Sequence, residues 1–328
     1  MTQLSSLPPV LVTRRLAPGV AERLTAHHAA TCHDTDLPMA RGDLLAAVRG
    51  RSAVITTLDD VVDGEFLDAA GPGLRIVANH AVGHHNIDLA ACAERGVQVS
   101  NTPGVLTAAT ADMAWALLLA ATRRLGEGER WLRSGRPWAW APNFLLGLEL
   151  AGTPLGILGM GRIGQAVARR AQAFDMPVAY HNRRELPPGE ADGATWLPLD
   201  DLLARSAVLV VTCPLSAATR HLLDARRLDR LPPGAVVVSM TAGVVDELAL
   251  AAALESGALF AAAVDNFERE PEVPSALLAQ ERAVLAPHLG SATVRTRQAM
   301  GGLAVDNVLA VLAGGAPVTP VTAVTAAR

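Results

Sequence analysis

Three glycines, Gly159, Gly161 and Gly164, form a Gly-x-Gly-x-x-Gly motif in the segment LGILGMGRIGQAVARRAQAF. An apolar run that predicts a strand precedes the motif and a helical pattern follows it, which is the context in which such glycines bind a dinucleotide. The first glycine permits a tight turn, the second lets a pyrophosphate approach the backbone, and the third allows helix and strand to pack closely. The first helical amides, at Arg162 and Ile163, can then bind the phosphates. We therefore predict a dinucleotide site rather than a plain glycine-rich turn.

The residues that follow the next predicted strand indicate which dinucleotide binds. NAD sites usually have an acidic residue there, about 20 residues beyond the glycines, which holds the ribose hydroxyls. This chain has Asn182, Arg183 and Arg184 instead, in the segment VAYHNRRE. Guanidinium groups suit a 2′-phosphate because each can form paired hydrogen bonds with it. The pattern predicts that NADP(H) is preferred and that NAD(H) is possible; the alternative is a solvated basic turn that Glu185 partly neutralises.

Short β-branched runs alternate with Ala- and Leu-rich helical segments along the whole chain. In the first half, the predicted strands cover residues 9–13, 52–57, 74–79 and 97–101. In the second half, the runs PLGILGMG, PVAYHN, SAVLVVTCP, GAVVVSM, LFAAAVD and RAVLAPH continue the pattern. Near-continuous apolar strands between helices are typical of parallel sheets covered on both faces. The predicted fold class is α/β, with two Rossmann-like, doubly wound parallel-sheet domains.

Two longer helices and a tail complete the predicted organisation. Thr107 can cap a long helix that follows the break at Pro103 and Gly104. The last helix, over residues 292–313, is expected to return to the first domain. The Ala-, Pro- and Thr-rich tail from Gly314 onward predicts a loosely ordered strap.

Composition excludes several classes of protein. A length of 328 residues suggests two domains, and a net charge of −4 with 3% aromatic residues argues against a nucleic-acid partner. The three cysteines, Cys32, Cys92 and Cys213, are too far apart in sequence for a Cys-x-x-Cys pair. The first residues lack a signal-peptide pattern, and no apolar run is long enough to span a bilayer. We expect a cytoplasmic protein with neither a membrane nor a metal partner.

Several segments together resemble one enzyme family. They are VGHHNIDLAACAERGVQVSNTPGVLTAATADMAWALLLAATRR, LGILGMGRIGQAVARRA, PLSAATRHLLDARRL, VVDELALAAALESG, VDNFEREP and APHLGSAT. The chain resembles the D-2-hydroxyacid dehydrogenases of the glyoxylate/hydroxypyruvate reductase type. The resemblance implies hydride transfer between a nicotinamide and a small 2-keto or 2-hydroxy acid. It also implies a homodimer in which a flavodoxin-like substrate domain, 1–101 plus 290–328, and a dinucleotide-binding domain, 102–289, flank a cleft.

The resemblance also assigns an acid/base pair. His288 in APHLG matches the family's catalytic histidine, and Glu270 in EREP matches the glutamate that orients it. The reaction needs a proton donor to the carbonyl oxygen as the hydride arrives. An imidazolium supplies that proton near neutral pH, and a neighbouring carboxylate fixes its tautomer. A histidine that follows a proline in a loop is otherwise more often structural.

The resemblance implies roles for further residues of the predicted site. Thr110 matches a residue near the nicotinamide ribose, and Asp265 matches the acid that holds the carboxamide. Cys213 and Pro214, with Thr219 beyond them, follow the strand on the adenosine side. The backbone amides of the turn at Val82 and Gly83 are expected to bind the substrate carboxylate.

One family residue is missing. The family loop reads Arg-Gly-x-Val-Val-Asp-Glu, whereas this chain has SMTAGVVDE. Counting back from Val244 places the arginine at Thr241, and counting forward from the strand places it at Ala242. That arginine binds the substrate carboxylate and polarises the carbonyl; loss of one such donor typically costs about 10²–10³-fold in rate. Recognition of the substrate is therefore expected to be atypical.

Three histidines, His80, His84 and His85, occupy the strand end and turn beside the expected substrate pocket. We hypothesise that one or more supply the missing charge or hydrogen-bond donor; the alternative is that they are polar residues with no role. Imidazoles also bind metals, but the spacing is not helical and no carboxylate or thiol joins them, so no metal site is predicted. The remaining histidines are interpreted as surface or packing residues: His27, His28, His33, His181 and His221.

Three functions stay open at this point. The first is an NAD(P)H-dependent oxidoreductase that acts on a 2-keto or 2-hydroxy acid, or on a related acid, with atypical recognition. The second is a weakly active or inactive NADP(H)-binding regulator, which the missing arginine favours and the retained His288 and Glu270 oppose. The third is another reaction on the same scaffold, with a phosphonate-type or imine substrate.

Overall fold

The computed structural model describes residues 8–26 and 28–321, so the expectation for His27 lies outside the described residues. These residues form two compact units. The first contains the chain up to Leu106 together with the chain from Thr293, and the second is Thr107–Ala292. The changeovers fall a few residues beyond the limits expected from the resemblance. Each unit is an α/β domain built on a parallel sheet, which confirms the predicted fold class.

The N-terminal part of the first unit alternates strands and short helices. In chain order they are β1 (Pro9–Val12), α1 (Val20–Thr25), β2 (Ala29–Cys32), α2 (Arg41–Ala47), β3 (Ala53–Thr56), α3 (Gly64–Ala70), β4 (Ile76–Asn79), α4 (Leu89–Glu94) and β5 (Gln98–Ser100). All pairings are parallel, in the order β2-β1-β3-β4-β5. This is the flavodoxin-like order. Strands β3 and β4 are fully buried, as expected for central strands covered on both faces.

The second unit contains the remaining strands. Its elements are α5 (Thr107–Thr122), α6 (Leu125–Arg133), β6 (Leu155–Leu158), α7 (Arg162–Gln172), β7 (Val178–His181), β8 (Thr195–Trp196), α8 (Leu199–Arg205), β9 (Val208–Val211), α9 (Ala225–Leu228), β10 (Ala235–Ser239), α10 (Glu247–Glu255), β11 (Leu259–Val264), α11 (Ser275–Leu278) and β12 (Ala283–Leu285). The parallel order is β12-β11-β10-β9-β6-β7-β8. The direction in which successive strands are added to the sheet reverses between β6 and β9, and open sheets bind ligands beyond the strand ends at such a point.

The last helix and the tail belong to the first unit. Helix α12 (Val294–Leu312) packs against β3 and β4, where its Ala304, Val305 and Val308 complete one face of the core. The described part of the tail is not a loose strap. Thr319 donates to the Asn101 carbonyl and bonds to Asn307, and the Val321 amide donates to the Val99 carbonyl. These bonds fix the tail against the otherwise open edge of β5.

Two features are absent from the described residues. No helix in residues 8–26 and 28–321 is long and apolar enough to cross a membrane. Within the same residues, no group of three or more His, Cys, Asp or Glu side chains is arranged to hold a metal ion.

Candidate active site

The glycine loop joins β6 to α7 at the reversal point of the second sheet. Gly159 has φ of 104°, and a Cβ there would lie 2.3 Å from the Cys213 amide nitrogen. A Cβ on Gly164 would lie 2.4 Å from the Gly159 carbonyl oxygen. Only glycine therefore fits at these two positions, as predicted from the motif.

Gly161 is different, because a Cβ there would meet no atom within 4 Å. It caps α7 without a side-chain hydrogen bond to the free amides of the first turn. Open space beside unpaired helix N-terminal amides is what a pyrophosphate requires. The loop therefore fits a dinucleotide: two glycines are required by packing, and the third leaves room for a ligand.

Asn182 holds this loop in place. Its Oδ1 accepts a hydrogen bond of 2.7 Å from the Met160 amide, directly between the first two glycines. Its Nδ2 lies 3.4 Å from the Met160 carbonyl. The side chain that stands where an NAD enzyme would have its acid is thus engaged with the loop backbone.

The two arginines after Asn182 are available for a ligand. Arg183 and Arg184 are both exposed, and neither forms an ion pair with any described residue. Arg162, at the first position of α7, is exposed as well. Three guanidinium groups near the glycine loop and the end of β7 give the carboxyl ends of these strands a positive charge.

His181, the last residue of β7, is held by a neighbouring backbone group: its Nδ1 lies 2.9 Å from the Leu197 carbonyl oxygen.

The segment after β9 forms a self-contained turn. Thr219 donates to the Pro214 carbonyl at 2.8 Å and accepts at 2.8 Å from the Ser216 amide. Burial raises the pKa of the Cys213 thiol to about 11, so this thiol stays protonated near neutral pH, and the backbone and Cβ of Cys213 lie beside Gly159. Cys213 therefore shapes the loop rather than reacting.

His288 and Glu270 form the expected pair. The His288 Nδ1 lies 2.9 Å from Glu270 Oε2, and each side chain is about one-third exposed, at 34% and 32%. Because Nδ1 faces the carboxylate, Nε2 is the nitrogen left to exchange a proton with a substrate. His288 also has φ of 55°, a left-handed conformation that is uncommon outside glycine.

Asp265 fixes the backbone at His288 and at the two residues that follow it. Its carbonyl accepts from the His288 amide at 2.8 Å, and its two carboxylate oxygens accept from the Leu289 and Gly290 amides at 2.7 and 2.9 Å. The residue is 1% exposed, and burial raises the pKa of its carboxyl while the two amides oppose that rise. Thr110 packs against the same loop, since a Cβ on Gly290 would lie 3.3 Å from its Cγ2. Asp265 and Thr110, for which the resemblance implies roles at the cofactor, both lie against the loop that carries His288.

Asn266 was not expected at the site. Its side-chain amide lies 2.8 Å from His288 Nε2, the nitrogen that would face a substrate. The sequence offered little signal for it, because an asparagine after a strand is commonplace and the contact depends on how the later loop returns.

The loop that lacks the arginine follows β10. Thr241 is partly exposed, and its carbonyl accepts from Ser239 Oγ at 3.1 Å. Arg220 pairs with Glu268, and His221 Nε2 lies 2.7 Å from the other oxygen of the same carboxylate. The His221 hydrogen bond and the Arg220 charge lower the pKa of Glu268. Arg220 is therefore already partnered by Glu268.

The expected carboxylate-binding turn lies in the first unit, after β4. Asn79 and Asn101 hold it by donating to the Gly83 and Val82 carbonyls, both at 2.8 Å. Among the described residues, nothing accepts a hydrogen bond from the Val82 or Gly83 amide. Two fixed amides without partners suit an incoming carboxylate.

The histidines of this turn differ from one another. Burial, together with the Arg297 charge, lowers the pKa of His80 to about 4, and its Nε2 is buried without a partner in the described structure. His80 is therefore neutral at pH 7 and can offer a hydrogen bond but not a charge. His84 also has a buried, unpartnered Nδ1 within the described residues, whereas His85 is exposed.

Comparison with known proteins identifies relatives that match nearly the whole chain. Residues 115–290 match the family described as D-isomer specific 2-hydroxyacid dehydrogenase, NAD binding domain. A glyoxylate reductase of Thermococcus onnurineus is 42% identical over 318 residues, which cover 95% of each chain. The TT0316 protein of Thermus thermophilus superposes with a TM-score of 0.90 at 43% identity, covering 96% of this chain and 100% of that one. An NADPH-dependent glyoxylate/hydroxypyruvate reductase of Sinorhizobium meliloti, in complex with NADP and malonate, has a TM-score of 0.83 at 37% identity, covering 96% and 97%.

Proposed function

Because the chain belongs to the D-isomer-specific 2-hydroxyacid dehydrogenase family, we propose that this NAD(P)-dependent oxidoreductase uses NADPH to reduce a small 2-keto acid that it binds without the family's arginine. The observation that carries the proposal is the His288–Glu270 pair, which Asp265 fixes in the unit that contains the glycine loop.

NADPH is the proposed cofactor because of the charges at the end of β7. Arg183 and Arg184 are exposed and unpaired among the described residues, and the position of the usual acid is occupied by Asn182. A ribose 2′-phosphate would bind these guanidinium groups, whereas a 2′-hydroxyl would find no carboxylate. The Sinorhizobium meliloti relative is named an NADPH-dependent reductase, which supports this preference.

In the proposed mechanism, the loop of Gly159, Gly161 and Gly164 would hold the dinucleotide, which would supply the hydride for reduction of the carbonyl carbon. His288 donates the Nε2 proton to the carbonyl oxygen, so that a hydroxyl rather than an alkoxide forms. Glu270 accepts from Nδ1 and stabilises the imidazolium before transfer. Because His288 is one-third exposed in the described structure, solvent can restore its proton after each turnover.

The substrate carboxylate is proposed to bind the Val82 and Gly83 amides. These amides are neutral donors, so they hold an anion less strongly than a guanidinium does. A neutral His80 or His84 can add a hydrogen bond, but no charge comes from His80 at pH 7. We therefore expect glyoxylate and hydroxypyruvate, the substrates named for the relatives, to be reduced with a high KM.

A substrate panel tests this proposal. Oxidation of NADPH and NADH would be followed with glyoxylate, hydroxypyruvate, phenylpyruvate and a phosphono-substituted carbonyl. We expect turnover of the small keto acids, faster with NADPH. Tight NADPH binding with no turnover of any compound would overturn the proposal and favour a regulatory NADP(H)-binding protein, which the absent arginine supports. Turnover of the phosphono compound alone would instead identify a non-carboxylate substrate. The homodimer implied by the resemblance and the cytoplasmic location expected from the composition stay predictions.

A further inference from the structure

The loop of residues 183–185 carries the two arginines that follow β7. Arg183, Arg184 and Glu185 are all exposed, whereas the next residue, Leu186, is partly buried and packs against the core of the second unit. A ligand that binds two long, mobile side chains on a mobile backbone loses affinity to the entropy of ordering them. The strength with which the 183–185 loop holds an anion therefore depends on how far its backbone is fixed beforehand.

Trp196 fixes the first end of this loop. Its indole Nε1 donates to the Asn182 carbonyl at 3.1 Å. Asn182 is also held from the glycine loop, because its Oδ1 accepts from the Met160 amide at 2.7 Å. The residue that directly precedes Arg183 thus has both its side chain and its backbone carbonyl engaged.

Tyr180 fixes the second end of the loop. Its hydroxyl accepts a hydrogen bond of 2.9 Å from the Leu186 amide. The side chain is 1% exposed, so bulk water has little access to compete for this bond. The residue that directly follows Glu185 is thus held as firmly as the one that precedes Arg183.

Both aromatic residues are placed by one strand pairing. Tyr180 in β7 and Trp196 in β8 are partners in the parallel register, and the Leu197 amide donates to the Tyr180 carbonyl at 2.9 Å. Partners in register lie on the same face of a sheet, and both side chains pack against the same core cluster. The short edge strand β8 therefore brings Trp196 to the loop that Tyr180 closes.

We propose that Tyr180 and Trp196 are positioning residues that set the cofactor specificity, because they fix the 183–185 loop so that Arg183 and Arg184 meet a ribose 2′-phosphate. The inference rests on the proposed preference for NADPH. A fixed loop lowers the entropy cost of binding the phosphate with both guanidinium groups. NADH has no phosphate at this position, so it gains little from the same arrangement.

The test is calorimetric titration of the free protein with NADPH and with NADH, which differ only in the 2′-phosphate. Tyr180→Phe and Trp196→Phe each remove one hydrogen bond and keep an aromatic ring. In each variant we expect the ratio of the Kd for NADH to the Kd for NADPH to fall by about 3- to 10-fold, the effect of one hydrogen bond. The Kd for NADH should stay within about twofold of the wild-type value.

Trp115→Phe provides a matched control. The Trp115 indole Nε1 also donates to a backbone carbonyl in the second unit, that of Val167, at 3.2 Å. This substitution removes the same kind of bond at a site in α5 and α7, and it should leave the ratio of the two Kd values unchanged.

The outcomes separate this inference from the proposed function. An unchanged ratio in both loop variants of an NADPH-preferring protein would overturn the inference alone. Equal losses for NADPH and NADH would also overturn it, since they indicate a merely structural role. If one loop variant does not fold, the ratio in the other decides. A reduced ratio in a protein with no turnover on the substrate panel would sustain the inference while the proposed function fails. A wild type without preference for NADPH would overturn both.

Discussion

Asp265 performs at least two tasks with one side chain. Its carboxylate binds two successive amides after His288, and its backbone carbonyl binds the His288 amide. These bonds hold His288 in a left-handed conformation, which costs on the order of 1 kcal/mol or more for a non-glycine residue. A catalytic side chain is thus fixed by its backbone as well as by its own hydrogen bonds.

The arginines proposed to distinguish NADPH from NADH, Arg183 and Arg184, can be tested together by substitution. We expect the double substitution Arg183→Ser and Arg184→Ser to raise the KM for NADPH by about 10-fold or more, since one charge-assisted hydrogen bond contributes roughly 1.5–3 kcal/mol. The KM for NADH should stay within about twofold, because no 2′-phosphate is lost. Steady-state kinetics with both cofactors measures this.

Arg226→Ser offers a matched control, because Arg226 is also an exposed arginine of the second unit. It should change neither KM. An equal loss for NADPH and NADH in the double variant would show that Arg183 and Arg184 serve the whole dinucleotide rather than its phosphate.

At the scale of elements, two glycines of the same loop have different expected roles. We expect Gly159 to be required for folding and Gly161 to be required for binding of the ligand. A Cβ on Gly159 would overlap the backbone of Cys213, whereas a Cβ on Gly161 would enter open space. We expect Gly159→Ala to lower the thermal unfolding temperature and to abolish cofactor binding. Gly161→Ala should unfold like the wild type and still bind NADPH at least about 10-fold more weakly, because only the ligand approaches that position.

Calorimetry of the free proteins and fluorescence titration with NADPH measure the two effects. Full NADPH affinity in Gly161→Ala would mean that the pyrophosphate does not approach the backbone there.

The loop after β10 is the element in which an arginine can be restored. Ala242 stands directly before Gly243, in the order Arg-Gly of the resembled motif, and is partly exposed. We expect Ala242→Arg to raise kcat/KM for glyoxylate by about 10²-fold, the size of one such donor. Ala242→Met is the uncharged control, and Thr241→Arg tests the other alignment. A lack of gain in both arginine variants would show that this loop no longer faces the substrate.

At the scale of the whole molecule, His80 links pH to stability. Its pKa is about 4 in the folded protein and 6.5 ordinarily, because burial and Arg297 disfavour the charged ring. The unfolded chain therefore binds a proton between these values and the folded chain does not. The contribution of neutral His80 to the free energy of unfolding is fully present above about pH 6.5 and is lost as the pH falls towards 4.

We expect the urea midpoint of the wild type to drop more between pH 7 and pH 5 than that of His80→Gln, which cannot titrate. Equal drops in the two proteins would show that His80 does not carry this pH dependence.

The sequence predicts a strand more reliably where it is a continuous apolar run than where its residues are partly exposed. Strand β3 lies within its predicted range, because a buried strand is a continuous apolar run. Strand β2 was missed, since its residues alternate in exposure and continue a helical pattern. Local sterics made the glycine loop predictable. The contact between Asn266 and His288 was not, because it depends on the register of β11 and on the return of a distant loop.

Asn182 could be replaced by aspartate during evolution without loss of its hydrogen bond to the glycine loop. Its Oδ1 accepts from the Met160 amide, and an aspartate could accept the same bond while providing the acid typical of NAD sites. Both asparagine codons become aspartate codons by a change of the first base alone. The acid typical of NAD sites therefore lies within one point mutation of this sequence, and a descendant could acquire it beside Arg183 and Arg184 without rebuilding the loop.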